Sequence, residues 1–300
     1  MSFIEYLMNI INDLPTELLG ALLAFLAGVL YTKSKEHFFT NRVYNHTRLK
    51  MNSKEEELLI NSYHANSGAT DSEEKTSLGY PFEYMSYATV VAYLQSINKN
   101  IDIALDPSPL KVSDIKNYSV TSNTILFGGP FHNLITGMIF GLSKEYRTVP
   151  FYFDRYGDED AALFCDNKPD VPFIPLKNAD GDYYMKDYGI ILNVVNPYDT
   201  RKRIIAIIGC RSIGVFGASL YFAKSHKELK KKTKGMDNYA VIVVCGGDEH
   251  TVIGSPKLVL AVSIDPIDKS KISKSTLKDI AEAHYQKIAK ETDESYASVQ

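Results

Sequence analysis

The stretch Ile204–Lys224, IIAIIGCRSIGVFGASLYFAK, decides how the rest of the chain is interpreted. An apolar run typical of a β-strand enters a glycine-spaced turn, and a helix-like pattern leaves it. The GxxxxGxxG spacing is not the dinucleotide pattern GxGxxG, and it lacks the Lys-Ser/Thr of a P-loop, so an ATPase or GTPase is not expected. The N–H groups and positive dipole end of a helix N-terminus still favour an anion.

We therefore expect this turn to bind a ligand through Gly209, Arg211, Ser212, Gly214 and Gly217. The side chains of Arg211 and Ser212 would add hydrogen-bond donors for a phosphate or a carboxylate. The alternative is that the three glycines only permit a tight turn and close packing of the helix on the sheet.

A second turn of this kind is LFGGPFHNLITG, residues Leu126–Gly137. Two glycines end a strand, and three polar residues follow in the first turns of the next helix. Open α/β sheets bind small molecules at the carboxyl ends of their strands, where the strand order reverses. We expect this turn to complete the same ligand pocket through five residues: Gly128, Gly129, His132, Asn133 and Thr136.

The order of strand-like and helix-like segments predicts an α/β fold with a Rossmann-like domain over residues 81–300. The segments NTILFG, TVPFYFD, DYGIILNVVN, RIIAIIG, YAVIVVC and KLVLAVSI read as strands, and hairpins among them make the sheet mixed. Helical spacing marks Glu83–Ile97, Gly214–Lys232 and Lys274–Glu291. The acidic stretch Phe153–Asp170 matches no EF-hand loop and is expected to be a solvated loop.

The first 32 residues predict a membrane segment, with a span at about Leu14–Thr32 that carries no charge from Leu18 onward. A cleaved signal peptide is one alternative, but no Lys or Arg precedes the span; a buried core helix is another. Basic residues follow the span, so the positive-inside rule places the C-terminal part in the cytoplasm. Residues 33–80 are expected to be a juxtamembrane helical connector and linker, in which the helical part covers Lys33–Tyr63 and ends with KEEELLINSY, Lys54–Tyr63.

The predicted span has a small-residue face, because Gly20, Ala24 and Gly28 recur every four residues. Such residues let transmembrane helices approach closely, which favours a homo-oligomer. Asp13 and Glu17 fall within about 60° of the same stripe and are expected at the mouth of a pore in such an oligomer. Lipid packing beside an acidic interface is the alternative.

Composition excludes several classes of protein. The net charge of −3 gives no electrostatic case for binding a DNA or RNA duplex. Three scattered cysteines support neither a zinc site nor a disulfide framework, so no metal and no cofactor are expected. Cys210, at the start of a helix, would have a lowered thiol pKa there, but the sequence assigns it no histidine partner. Asp187, Asn193 and Asn196 flank a strand, where turn chemistry explains them as well as a site does.

In its layout, the chain resembles membrane effectors of bacterial antiphage signalling, of the CBASS and type III CRISPR kind. The resemblance is carried by the span LLGALLAFLAGVLYT, the basic KSKEHFFTNR, and the turns LFGGPFHNLITG and IIGCRSIGVFGAS. It implies a single-pass protein of the bacterial inner membrane whose cytosolic domain binds a nucleotide second messenger. It also implies that binding triggers oligomerisation and disruption of the membrane. No catalytic residue carries over.

Three functions are therefore weighed. The first is this membrane-anchored sensor, with a nucleotide-type ligand, the lipid bilayer and other copies of the chain as partners. The second is a membrane-tethered enzyme acting on a nucleotide or sugar-nucleotide, against which the lack of a compact acid/base or metal cluster counts. The third is a scaffold that recruits partners through its tyrosine-rich surface.

Overall fold

The computed structural model describes residues 24–25, 27–29, 47, 49, 58–62, 79–97, 103–107, 122–129, 133–157, 159–167, 170–179, 184–246 and 254–272. The strands are β1 (Leu58–Ser62), β2 (Ile103–Pro107), β3 (Thr124–Phe127), β4 (Phe151–Tyr156), β5 (Glu159–Cys165), β6 (Leu176–Lys177), β7 (Tyr184–Val195), β8 (Arg203–Gly209), β9 (Tyr239–Cys245) and β10 (Lys257–Ser263). The helices are α1 (Gly79–Ile97), α2 (Leu134–Phe140), α3 (Ser212–Lys224) and α4 (His226–Lys232), followed by a 3-10 turn at Lys269–Lys271.

The prediction of an α/β fold with a mixed sheet is confirmed. The eight-stranded sheet has the order β10-β9-β7-β8-β3-β1-β2, with β6 paired to β7. Strands β2, β1, β3 and β8 run parallel to one another, whereas β7 is antiparallel to both β8 and β9, and β10 is antiparallel to β9. The predicted hairpin of β9 and β10 is therefore present, and β7 and β8 are neighbours as expected.

The sheet has a separate hydrophobic core on each face. Strand residues alternate between the faces, so Ile205 and Ile207 of β8 lie in one core while Ile204 and Ile208 lie in the other. The first core is closed by α1, α3 and α4. The second is closed by α2 and by the hairpin of β4 and β5, whose Phe151 and Leu163 are fully buried.

Three element predictions are wrong. The helix expected at Lys54–Tyr63 is instead strand β1 at Leu58–Ser62, held between β2 and β3. The sheet therefore includes residues from the segment predicted to be a connector. The stretch Phe153–Asp170, expected to be a loop, instead contains β5 and most of β4. The two strands are held together by aromatic contacts such as that between the rings of Tyr152 on β4 and Phe164 on β5, with centroids 5.0 Å apart. The helix expected over Gly214–Lys232 is broken at Ser225 into α3 and α4.

The predicted membrane span falls mostly outside the described residues, as do Asp13, Glu17 and Gly20, and the helix expected at Lys274–Glu291. Ala24 and Gly28 lie in helical backbone and are exposed, and a Cβ built on Gly28 would meet no atom within 4 Å. Among the helices that the structure describes, none has the length and apolarity needed to cross a membrane.

The glycines of α3 let the helix approach the sheet at backbone distance. A Cβ on Gly214 would lie 2.2 Å from the carbonyl oxygen of Tyr188 on β7, and one on Gly217 would lie 2.3 Å from the sulfur of Cys245 on β9. The strand has its own glycine at the contact, since a Cβ on Gly189 would lie 2.1 Å from the carbonyl oxygen of Gly214. Part of the GxxxxGxxG spacing therefore serves helix–sheet packing.

We expect Gly214→Ala to lower the free energy of unfolding by about 1–3 kcal/mol, because the new methyl group would overlap a strand backbone that cannot yield without moving α3. Urea unfolding of the full chain measures this. Gly129→Ala is the matched control, because its Cβ would meet only the Ile208 Cγ2 atom, at 3.6 Å, and we expect a change within about 0.5 kcal/mol. Equal effects of the two substitutions would show that the close contact is not what holds α3 in place.

Candidate functional site

The two predicted glycine turns meet at one edge of the sheet. β3 and β8 are parallel neighbours, so their carboxyl ends lie side by side. The Gly128 amide donates a hydrogen bond to the carbonyl oxygen of Ile207 at 3.1 Å, and Gly129 lies against Ile208. The structure therefore brings the GG turn after β3 and the turn after β8 into contact. His132 lies outside the described residues.

Asn133 caps α2 and is fully buried. Its Oδ1 atom accepts hydrogen bonds from the Ile135 and Thr136 amides at 3.0 and 3.1 Å, and its Nδ2 group donates to the Phe127 carbonyl at 3.0 Å. The side chain thus joins the end of β3 to the start of the helix. Thr136 is also fully buried, and among the described residues its hydroxyl has no hydrogen-bond partner. Both side chains therefore lie inside the turn and not on its surface.

The N-terminus of α3 already contacts a carboxyl group that belongs to the protein. The Oδ2 atom of Asp187, at the start of β7, accepts a hydrogen bond from the Gly214 amide at 2.5 Å, and its Oδ1 atom accepts from the Tyr188 amide at 2.7 Å. The side chain is 0% exposed. A side chain of the protein itself therefore occupies the Gly214 amide at this helix end.

Burial raises the pKa of Asp187 from its ordinary 3.8 to about 7. Hydrogen bonds from the Tyr188 and Gly214 amides and the nearby positive charge of Arg211 act in the opposite direction. The net rise shows that the loss of hydration outweighs these stabilising contacts. Near neutral pH the carboxyl group thus exchanges its proton at the helix end.

The expectation of a lowered thiol pKa at Cys210 is wrong. Burial raises the pKa of Cys210 well above its ordinary value, and the carboxyl group of Asp187 raises it further. Cys165, Cys210 and Cys245 are all buried free thiols. Position at the start of a helix does not lower a thiol pKa when the thiol is desolvated. A cysteine nucleophile is therefore not supported at this edge.

Outside the buried turn, two cations lie over one aromatic ring. The Arg211 Cζ atom and the Lys177 Nζ atom are each 5.3 Å from the ring centroid of Tyr184. A third cation, Lys186, lies 5.0 Å from the centroid of the Tyr188 ring. Lys177 and Lys186 are exposed, and Arg211 and Tyr184 are partly exposed. We call Lys177, Tyr184, Lys186 and Arg211 the cationic patch.

Sequence reasoning singled out Arg211 but missed the rest of the cationic patch. Lys177 comes from the short strand β6, which pairs with the start of β7 and so places Lys177 opposite Tyr184. The alternation of aromatic and basic residues in YYMKDY was the available signal. Ser212 begins α3, and Gly209 ends β8, where its Cβ would lie 2.3 Å from the Val215 amide nitrogen.

Among the described residues, no group of three His, Cys, Asp or Glu side chains lies close enough together to hold a metal ion. The chemistry that the described edge offers is electrostatic. It combines guanidinium and ammonium groups, two tyrosine rings and one buried carboxyl group. Such a set binds anions and stacks on planar groups.

We expect Asp187 to make stability depend on pH between about 4 and about 7. Because its folded-state pKa lies above the unfolded-state value, the folded protein binds the proton more tightly, and the free energy of unfolding falls as the pH rises through this window. Asp187→Asn, which has no charge, should flatten that part of the curve, and it should lower stability at about pH 5 by about 1–3 kcal/mol because its Nδ2 group cannot accept one of the two backbone hydrogen bonds. Chemical unfolding at a series of pH values measures both effects.

Asp199 supplies the control for this prediction. It is partly exposed, and its hydrogen bonds from Arg201 lower its pKa to about 2, so its contribution to stability is lost only as the pH falls below the ordinary value. Asp199→Asn should therefore leave the curve between about pH 4 and 7 unchanged. If Asp187→Asn also leaves it unchanged, the carboxyl group does not titrate in this window.

The chain matches no protein-family model, no curated protein and no solved structure. Its function must therefore be inferred from the geometry and charge of the site. Three features carry that inference: the meeting of two glycine turns at one sheet edge, the carboxylate already seated on α3, and the cationic patch beside them.

Proposed function

We propose that this chain is a membrane-anchored receptor whose α/β domain binds a nucleotide-type second messenger at the carboxyl edge of the sheet. The observation that carries the proposal is the convergence of Arg211 and Lys177 on the Tyr184 ring, next to the two glycine turns. Two like charges on one ring repel each other, and a bound phosphate would offset that repulsion. The ring offers a flat face for a base.

The sheet topology supports this location. β1, α1 and β2 form a parallel βαβ unit on one side, and β3 lies on the other side of β1, so the strand order reverses between β1 and β3. Rossmann-like folds, to which we propose this domain belongs, bind nucleotides outside the strand ends at that reversal. The cationic patch lies two strands further, a distance of about 10 Å at 4.8 Å per strand. A nucleotide with several phosphates spans such a distance.

The occupied helix end changes which residues we assign to the ligand. Gly214 donates to Asp187, and Gly217 lies inside α3 against Cys245, so neither is included in the proposed pocket. Asn133 and Thr136 are fully buried and are also left out of the proposed pocket, and His132 lies outside the described residues. From the predicted set, the pocket keeps Gly128, Gly129, Gly209, Arg211 and Ser212, and it gains Lys177, Tyr184 and Lys186.

The proposed response takes place in the N-terminal segment. Messenger binding would favour an assembly in which the faces formed by Gly20, Ala24 and Gly28 meet in the bacterial inner membrane, with Asp13 and Glu17 at the mouth of the resulting lesion. A ligand shifts that assembly only by its difference in affinity for the two states. The resemblance in layout to antiphage effectors supports this reading.

The alternative of a nucleotide-directed enzyme has one feature in its favour, the raised pKa of Asp187. Both carboxyl oxygens, however, accept backbone hydrogen bonds, and the side chain is fully buried. A general acid or base needs to reach a substrate atom. We therefore do not assign Asp187 a catalytic role.

We expect a cyclic di- or oligonucleotide to release dye from lipid vesicles that carry the full chain, with ATP as the linear comparison. Arg211→Ala should raise the half-maximal nucleotide concentration by about tenfold or more, because one charged hydrogen bond contributes about 1.5–3 kcal/mol. Dye release and equilibrium binding are both measured.

Arg201→Ala is the matched control, because Arg201 is an exposed arginine bonded to Asp199 in the turn at the opposite end of β8. The Arg201→Ala variant should bind nucleotide and release dye from the vesicles as the unaltered chain does. Absence of both binding and release with every nucleotide would contradict the receptor. Equal losses of nucleotide binding and dye release in the Arg211→Ala and Arg201→Ala variants would show that the cationic patch is not part of the ligand site.

A further inference from the structure

Two residues upstream of the first strand are buried in the domain. Thr47 and Leu49 are each 0% exposed, and Leu49 belongs to the core that α1 and α3 close. The Leu49 amide donates a hydrogen bond to the Thr47 Oγ1 atom at 3.1 Å. The chain between the predicted membrane span and β1 is therefore attached to the sheet at this point.

Asn193 on β7 makes the polar part of this attachment. Its Nδ2 group donates to the Thr47 carbonyl oxygen and to the Tyr239 hydroxyl, each at 3.0 Å. Its Oδ1 atom accepts from the Arg203 Nε group at 2.7 Å. Asn193 is fully buried, so its amide has no water to replace the Thr47 carbonyl if that carbonyl is withdrawn.

A polar contact of this kind selects one register. Apolar burial alone accepts any side chain of suitable size, whereas a buried amide donor needs a carbonyl oxygen at one position. The buried side chain of Leu49 supplies the apolar contact area. The hydrogen bond from Asn193 to the Thr47 carbonyl oxygen determines which residue of the segment docks there. Asn193 lies six residues along β7 from Asp187, about 20 Å away, at the end opposite the proposed ligand edge.

We propose that Asn193, Arg203 and Tyr239 form a docking site for the chain's own upstream segment at Thr47–Leu49, and that this clasp is where the domain restrains the N-terminal segment. This proposal rests on the proposed function only in its consequence, which is that the domain controls the membrane helices. The docking itself requires neither a ligand nor a membrane. Release of the clasp frees the upstream segment while the sheet stays paired.

The experiment is hydrogen–deuterium exchange on the full chain without nucleotide, read at the Leu49 amide in peptides that cover residues 44–52. Asn193→Ala should make this amide exchange about tenfold faster. Peptides covering β8 and α3 should keep their protection. An Asn193 that only stabilised the whole domain would instead accelerate exchange in all these peptides together.

Asn196→Ala is the matched control. Asn196 is an equally buried asparagine three residues along the chain, whose side chain donates to the Ser122 carbonyl at 3.3 Å and accepts from the Tyr198 amide at 2.9 Å. It should leave Leu49 exchange unchanged.

Asn193→Asp is the second variant, in case the alanine variant does not fold. It keeps the size of the side chain and the contact with Arg203, but turns an oxygen toward the Thr47 carbonyl, so it should accelerate Leu49 exchange at least as much. Unchanged exchange in this variant, or equal acceleration by Asn196→Ala, overturns the clasp. Failure of every nucleotide to bind or release dye would overturn the receptor and leave the clasp standing.

Discussion

The hydrogen bond from the Gly214 amide to the Asp187 carboxyl group is the contact on which the rest of the sheet edge depends. It fixes the start of α3 over β7, and three glycines then allow backbone contact along the interface. With α3 in this position, Arg211 comes to lie at its N-cap and over the Tyr184 ring. Two opposing effects set the pKa of the Asp187 carboxyl group. Dehydration outweighs the amides and the guanidinium, as the raised pKa shows.

Strand β7 joins the two polar regions of the molecule. Asp187 and Asn193 occupy alternate positions on the same face of this strand, with Gly189 and Ile191 between them. One end of β7 contacts the helix that carries Arg211, and the other end holds the segment upstream of β1. Because β7 is paired on both sides from Gly189 to Asn193, it is a stiff connection between these regions.

Local pattern was enough to predict the apolar strands β3, β7, β8 and β9, the hairpin to β10 and the helices α1 and α3. It was not enough for β1, because the charged run before Leu58 favoured a helix, while the pairing that makes it a strand comes from residues more than 40 positions away. The glycines of Ile204–Lys224 were recognised as a feature of the turn. That a carboxylate from β7 fills the turn depends on strand order, which no local pattern contains. Asn193 was noticed for the same reason as Asn196, and only tertiary contacts separate their roles.

The place of β1 in the sheet has a consequence for folding during synthesis. β1 is an internal strand of the sheet, yet both of its partners come later in the chain, at residues 103–107 and 124–127. At about 5–20 residues per second, the ribosome takes roughly 3–12 s to make the residues between β1 and β3. Until β2 has been made, the hydrogen-bonding groups of β1 have no sheet partner on either side, and until β3 has been made they have none on one side. The sheet can therefore close around β1 only after the residues of β3 have been made.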